Sequence, residues 1–186
     1  MSNPIIRTSV TAAAIIATLA LMACTPKYVQ PMNGTALVRL HVTDSGLFAM
    51  LHTYEKEGCE GPRAIGLIGG AAFVNAEGDL QRVIPTMLGS SGAPTPETIE
   101  LRAHSDKPFT VLYSQMGPHS ALVARRCNLP VRFTPAANAQ YQIDYSYEGE
   151  RCYAKVSRLV SVGDSIQKVT VADALKEKAA CSPYIY

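Results

Sequence analysis

The sequence predicts a mainly β domain, a single antiparallel β-sandwich or open barrel with one short C-terminal helix, and three observations carry that expectation. Short runs alternate apolar and polar residues, most cleanly from Thr98 to Ala103, where Ile99, Leu101 and Ala103 fall on one side and Thr98, Glu100 and Arg102 on the other. Turn-forming clusters such as Ser105-Asp106-Lys107-Pro108 and Gly163-Asp164 separate the runs. Strands do not alternate with long helix-period segments, which argues against a β-α-β architecture.

The chain opens with Arg7 and then an apolar run from Val10 to Met22, broken only by Thr11 and Thr18. That run has the length of a signal-peptide core and is too short to span a bilayer as a helix. It ends in Leu21-Met22-Ala23-Cys24. This resembles the lipobox of bacterial lipoproteins, with a branched residue three positions before the cysteine and a small one just before it. The resemblance implies a signal peptide over 1–23, cleavage after Ala23, a diacylglyceryl thioether on Cys24 and a further acyl chain on the new amino group. More than one such chain gives stable anchoring, at about 0.8 kcal/mol per buried methylene. An ordinary secretory leader followed by a chance cysteine is the alternative. Thr25 stands where lipoproteins retained in the inner membrane carry Asp, so the same resemblance implies the outer membrane, facing the periplasm.

Loss of residues 1–23 leaves a chain long enough for one domain that buries about two thirds of its unfolded surface. With Arg7 gone the basic residues nearly balance the 15 acidic ones, which gives no electrostatic case for nucleic acid. Four cysteines follow Cys24, namely Cys59, Cys127, Cys152 and Cys181, and their spacing fits no zinc motif. An even number in an exported chain points to two disulfides, for which three pairings exist. The expected pairing is Cys59 with Cys127 and Cys152 with Cys181. Residues 24–33 contain Pro26 and Pro31 without an apolar period, and they read as a lipidated tether ahead of a domain over 34–186.

Within the domain, a two-residue loop at Ser45-Gly46 would make 37–54 a hairpin, placing Val42 opposite Ala49 and Leu40 opposite Leu51. His41 and His52 would then be diagonal neighbours on its polar face. No carboxylate or cysteine falls in register to complete a metal site there. Ile65 to Val74, with Gly66, Gly69 and Gly70, reads as a bulged buried strand, since it lacks both the P-loop sequel and the G-x-G-x-x-G order. Leu88 to Pro96 is a surface loop, because Gly89-Ser90-Ser91-Gly92 lacks the spacing of a serine-hydrolase elbow.

Phe109 to Tyr113 continues the strand pattern, and Pro130 marks a break or an edge in the stretch Ala121 to Thr134. Asn138 suits a left-handed turn before Tyr141. A loop at Glu148-Gly149 would place Tyr145 opposite Cys152 and turn Cys152 inward. Leu159 to Val171 reads as strand, turn and strand, and Thr170 with Asp173 opens a short helix over 171–180 that ends at Cys181.

The alternation of strands, Pro turn and Tyr-rich strand resembles small sandwich domains of bacterial envelope lipoproteins, a likeness that implies no particular activity. The expected function is noncatalytic binding of an envelope protein, glycan or lipid at the periplasmic face of the membrane, with no cofactor and no metal. The alternative is a periplasmic hydrolase whose site is assembled from distant residues, with His41, His52, His104, His119 and nearby Asp or Glu as its candidates. His119 beside Ser120 makes no dyad, because neighbouring strand or turn residues point apart.

Overall fold

A computed structural model of the chain describes residues 25–43, 49–55, 59–69, 83–84, 86–115, 128–148 and 151–174. The signal peptide, Cys24, His119, Cys127, Cys181 and positions 175–180 of the expected helix lie outside these residues, and residues 172–174 form a turn. The described residues contain nine strands: β1 (Thr35–Val42), β2 (Ala49–Tyr54), β3 (Pro62–Ile68), β4 (Thr98–His104), β5 (Phe109–Gln115), β6 (Asn128–Phe133), β7 (Gln140–Glu148), β8 (Arg151–Val162) and β9 (Ser165–Thr170). They form two sheets, one ordered β4-β1-β7-β8-β9 and the other β3-β2-β5-β6. The fold is mainly β and layered as a sandwich, as the alternating pattern predicts.

Alternation decides what each sheet buries. Val38, Leu40 and Val42 of β1, Ile99 and Leu101 of β4, and Tyr141, Ile143 and Tyr145 of β7 point inward from one sheet. Leu51 of β2, Val111 and Tyr113 of β5, and Val131 and Phe133 of β6 meet them from the other. The layers lock at Tyr113 and Tyr145, whose rings stack with centroids 4.6 Å apart and an interplanar angle of 14°. Such a pair contributes about 0.5–1.5 kcal/mol beyond its buried area.

Three features differ from the sequence-based expectation. The hairpin over 37–54 does not form, because β1 pairs with β4 and β7 while β2 pairs with β3 and β5 in the opposite sheet. A period of two fixes which face is buried and leaves the partner open, so the inward residues were legible and the pairing was not. β1 and β7 run parallel, although every other strand pair among the described residues is antiparallel. The β7–β8 hairpin is closed by Glu148 opposite Arg151, which puts Tyr145 opposite Ala154 and Tyr147 opposite Cys152. This register is two residues from the expected one, so every side chain keeps its expected face.

Pro130 lies in β6, an edge strand, where its missing N–H breaks no ladder on the open side. Asn138 has φ 57°, the left-handed turn that its side chain tolerates. Within the stretch read as a tether, Pro26, Tyr28 and Gln30 hydrogen-bond to the sheets. Ala64 N–H donates to Pro26 O at 2.9 Å and Tyr28 N–H to Ala64 O at 2.8 Å, while the Tyr28 ring packs against the core.

Candidate functional site

The outward face of the five-stranded sheet carries two polar rows set by strand register. Glu100, Arg39 and Gln142 stand side by side on β4, β1 and β7, and one step along the strands stand Thr98, His41 and Asp144. Residues 83–84 and 86–97 cross above these rows and close a cleft of about 240 Å³ whose walls include Arg39, His41, Glu100 and Gln142 from the sheet and Gly89, Ser91, Ala93 and Thr95 from the crossing segment.

Apolar contacts seat this segment. Ile84 and Met87 form a small buried cluster with Leu159 of β8, and Leu37 and Leu88 pack against it. Polar contacts then fix its position. The Glu100 carboxylate accepts from Ile84 N–H at 2.6 Å and from Ser90 Oγ at 3.2 Å, while Leu88 N–H donates to Gln140 Oε1 at 2.6 Å. Gly89 has φ +68°, and a Cβ there would stand 3.2 Å from Ile166 Cδ1, so both backbone conformation and close packing favour glycine.

The charges beneath the cleft are paired with one another. Arg39 Nε donates to Glu100 Oε1 at 2.9 Å, Nη1 to Gln142 Oε1 at 3.3 Å and Nη2 to Leu88 O at 2.9 Å. The Arg39 and Glu100 side chains are only 11% and 3% exposed. At the other end, His41 Nδ1 lies 2.8 Å from Asp144 Oδ1, and Lys168 Nζ of β9 donates to Asp144 Oδ2 at 3.2 Å. Burial pushes the Asp144 carboxyl up, but hydrogen bonds from His41, Gln142 and Lys168 outweigh it and bring its pKa down to about 2. Asp144 is therefore an anion at neutral pH and holds the His41 ring in one orientation.

Family models, curated proteins and solved structures give no match to this chain. The site is therefore read from its own geometry.

The histidines do not converge. His41 lines the cleft, His52 lies on the outward face of the opposite sheet, and His104 is exposed at the far end of β4. The diagonal contact of His41 with His52 fails because β1 and β2 belong to different sheets. Burial lowers the His52 pKa, and its Nδ1 is buried without a hydrogen-bond partner among the described residues. No group of three or more His, Cys, Asp and Glu side chains among the described residues is arranged to hold a metal ion. No helix among them is long and apolar enough to cross a membrane.

Alternation places Glu100 on the polar side of its strand, and no sequence pattern joins it to Arg39 and Gln142 as one site. The available signal was opposite charge in mid-strand, Arg39 between Val38 and Leu40 and Glu100 between Ile99 and Leu101. Buried positions of that kind require a partner.

Cys59 packs with Tyr54 and Leu112 on the outward face of the four-stranded sheet, whereas Cys152 reaches Gln115, with Sγ 4.0 Å from its Oε1.

Proposed function

We propose that the chain is a lipid-anchored envelope protein, attached through Cys24 at the periplasmic face of the outer membrane, whose domain binds a ligand in the cleft over Arg39 and does not catalyse a reaction. The observation that carries the binding reading is the internal pairing of Arg39 with Glu100 beneath a rim of hydroxyls. A neutralised and buried pair makes a rigid floor with little net charge to offer an ion. Ser91, Thr95 and Thr98 line the same space and suit neutral hydroxyl or amide groups, the chemistry of a glycan or an extended peptide. The Leu-Met-Ala-Cys ending of the leader supports the anchor, and Thr25 after it supports the outer membrane. The envelope partner bearing the bound group is a protein, glycan or lipid.

Titration of the isotope-labelled domain with soluble peptidoglycan fragments, oligosaccharides and unstructured peptides tests the reading by amide chemical shifts. The expected result is a saturable shift at residues 89–98 and at Arg39 and Gln142, with the ligand recovered unchanged. Saturable shifts confined to another surface, or conversion of the ligand, would overturn it.

One observation favours a hydrolase as the second reading. His41 is held through Nδ1 by an ionised Asp144, the arrangement that orients a general base, and Thr98 is its cross-strand neighbour. Among the described residues no hydroxyl hydrogen-bonds to His41.

A further inference from the structure

The segment after Cys24 crosses from one sheet to the other. Pro26 and Tyr28 hydrogen-bond to Ala64 of β3, the edge of the four-stranded sheet, in a parallel bridge centred on Lys27. Tyr28 Oη then donates to Arg102 O at 2.6 Å, and Arg102 N–H donates to Gln30 Oε1 at 2.9 Å, on β4 at the edge of the five-stranded sheet. Residues 26–30 thus strap the two edges together and cover strand groups that would otherwise be open to pairing.

Two apolar side chains, one on this strap and one just after it, face solvent. Val29 is 84% exposed and Met32 is 91% exposed. Only Thr25 separates Cys24 from Pro26, and each residue spans at most about 3.6 Å, so a lipid on Cys24 holds the strap within a headgroup layer of the bilayer. β9 is the opposite edge of the five-stranded sheet from β4.

We propose that the strap is a membrane-facing surface: the β3 and β4 side of the sandwich rests on the lipid, Val29 and Met32 enter the bilayer interface, and β9 points away from the membrane. This rests on the reading of Cys24 as the lipidated residue. Partial burial of two apolar side chains adds to the acyl chains and, more importantly, fixes orientation, because an anchor alone leaves the domain free to roll. The cleft then opens along the side of the sandwich, where an envelope partner can reach it.

The chain contains no tryptophan, so a single introduced one is a clean reporter. Val29→Trp, Met32→Trp and, on the distal edge, Val169→Trp are each prepared as the full acylated protein. Each is reconstituted in phosphatidylethanolamine and phosphatidylglycerol vesicles with brominated acyl chains, and the mass of the lipidated N-terminal peptide is recorded in parallel. The expected result is at least twofold quenching with a blue shift at positions 29 and 32, and none at 169. Acylated protein with all three reporters unquenched, or with 169 quenched as strongly as 29, would overturn the orientation while leaving the anchor intact. Absence of acyl mass on Cys24 would overturn the anchor and the orientation together.

Discussion

Arg39 stands directly opposite Glu100 across β1 and β4, and its guanidinium meets that carboxylate at 2.7 Å through Nη2 and 2.9 Å through Nε. Removing one partner leaves a buried charge uncompensated, which costs about 3–5 kcal/mol, whereas replacing both with apolar residues of similar size is often close to neutral. Glu100→Leu should therefore destabilise the domain strongly in urea unfolding, and Arg39→Met with Glu100→Leu should recover a large part of the loss. Recovery will be incomplete, because Glu100 also holds Ile84 N–H and Ser90. A double variant no better than the single one would mean that Glu100 matters only as an acceptor for the crossing segment.

Asp144 ties stability to pH. Its pKa is about 2 in the folded protein, below its ordinary value, so the folded state binds fewer protons than the unfolded state as acid is added. Its contribution is complete above about pH 4 and is lost as pH falls towards 2. Asp144→Asn should lower stability by roughly 1–2 kcal/mol at pH 6, allowing for partial solvent screening. The gap should close as unfolding is measured nearer pH 2. A difference that stays constant with pH would reject this role.

Gly89 and Gly92 both have positive φ, at +68° and +71°, but a Cβ on Gly92 meets nothing within 4 Å. Gly92→Ala should cost about 1 kcal/mol of backbone strain. Gly89→Ala should cost more, because Ile166 must also give way. Thermal unfolding of the two variants side by side measures the difference, and equal losses would remove the packing contribution.

Cys59 and Cys152 lie on opposite sides of the four-stranded sheet. Cys152 is on the interior side, by Gln115. Cys59 is on the other side of the same sheet, with Tyr54 and Leu112. Non-reducing peptide mapping should therefore find them in separate bridges, Cys59 with Cys127 and Cys152 with Cys181 in the pairing expected from the sequence. Recovery of a Cys59 to Cys152 peptide would contradict that separation, since a bridge needs Cα atoms within about 7 Å.

The contrast between faces and partners also explains how far the sequence was legible. Ile99, Leu101 and Ala103 announce an inward face because the pleat alternates, and the structure buries all three. Asn138 and Pro130 announce a turn and an edge through their own backbone chemistry. The parallel pairing of β1 with β7 joins residues about a hundred positions apart, and no local pattern encodes it. The cleft depends on that pairing, since Gln142 and Asp144 reach Arg39 and His41 only through it. Tyr28 was missed for a related reason: a Pro-flanked stretch without a period looks free until the edge it covers is known.

Binding and hydrolysis part most sharply at two positions. Asp144 orients His41 from behind and is not among the residues lining the cleft, whereas Ala93 is exposed at the cleft wall. Removing the orienting carboxylate of a catalytic histidine costs about 10⁴-fold in rate, while a large ring at position 93 blocks entry without disturbing the floor. The decisive measurement is complementation of a deletion strain by Asp144→Asn and Ala93→Trp, each verified as folded and lipidated, scored as growth under detergent stress. Ligand binding in the cleft predicts that Asp144→Asn complements at neutral pH and Ala93→Trp does not. Loss of complementation by Asp144→Asn, with Ala93→Trp fully active, would contradict it.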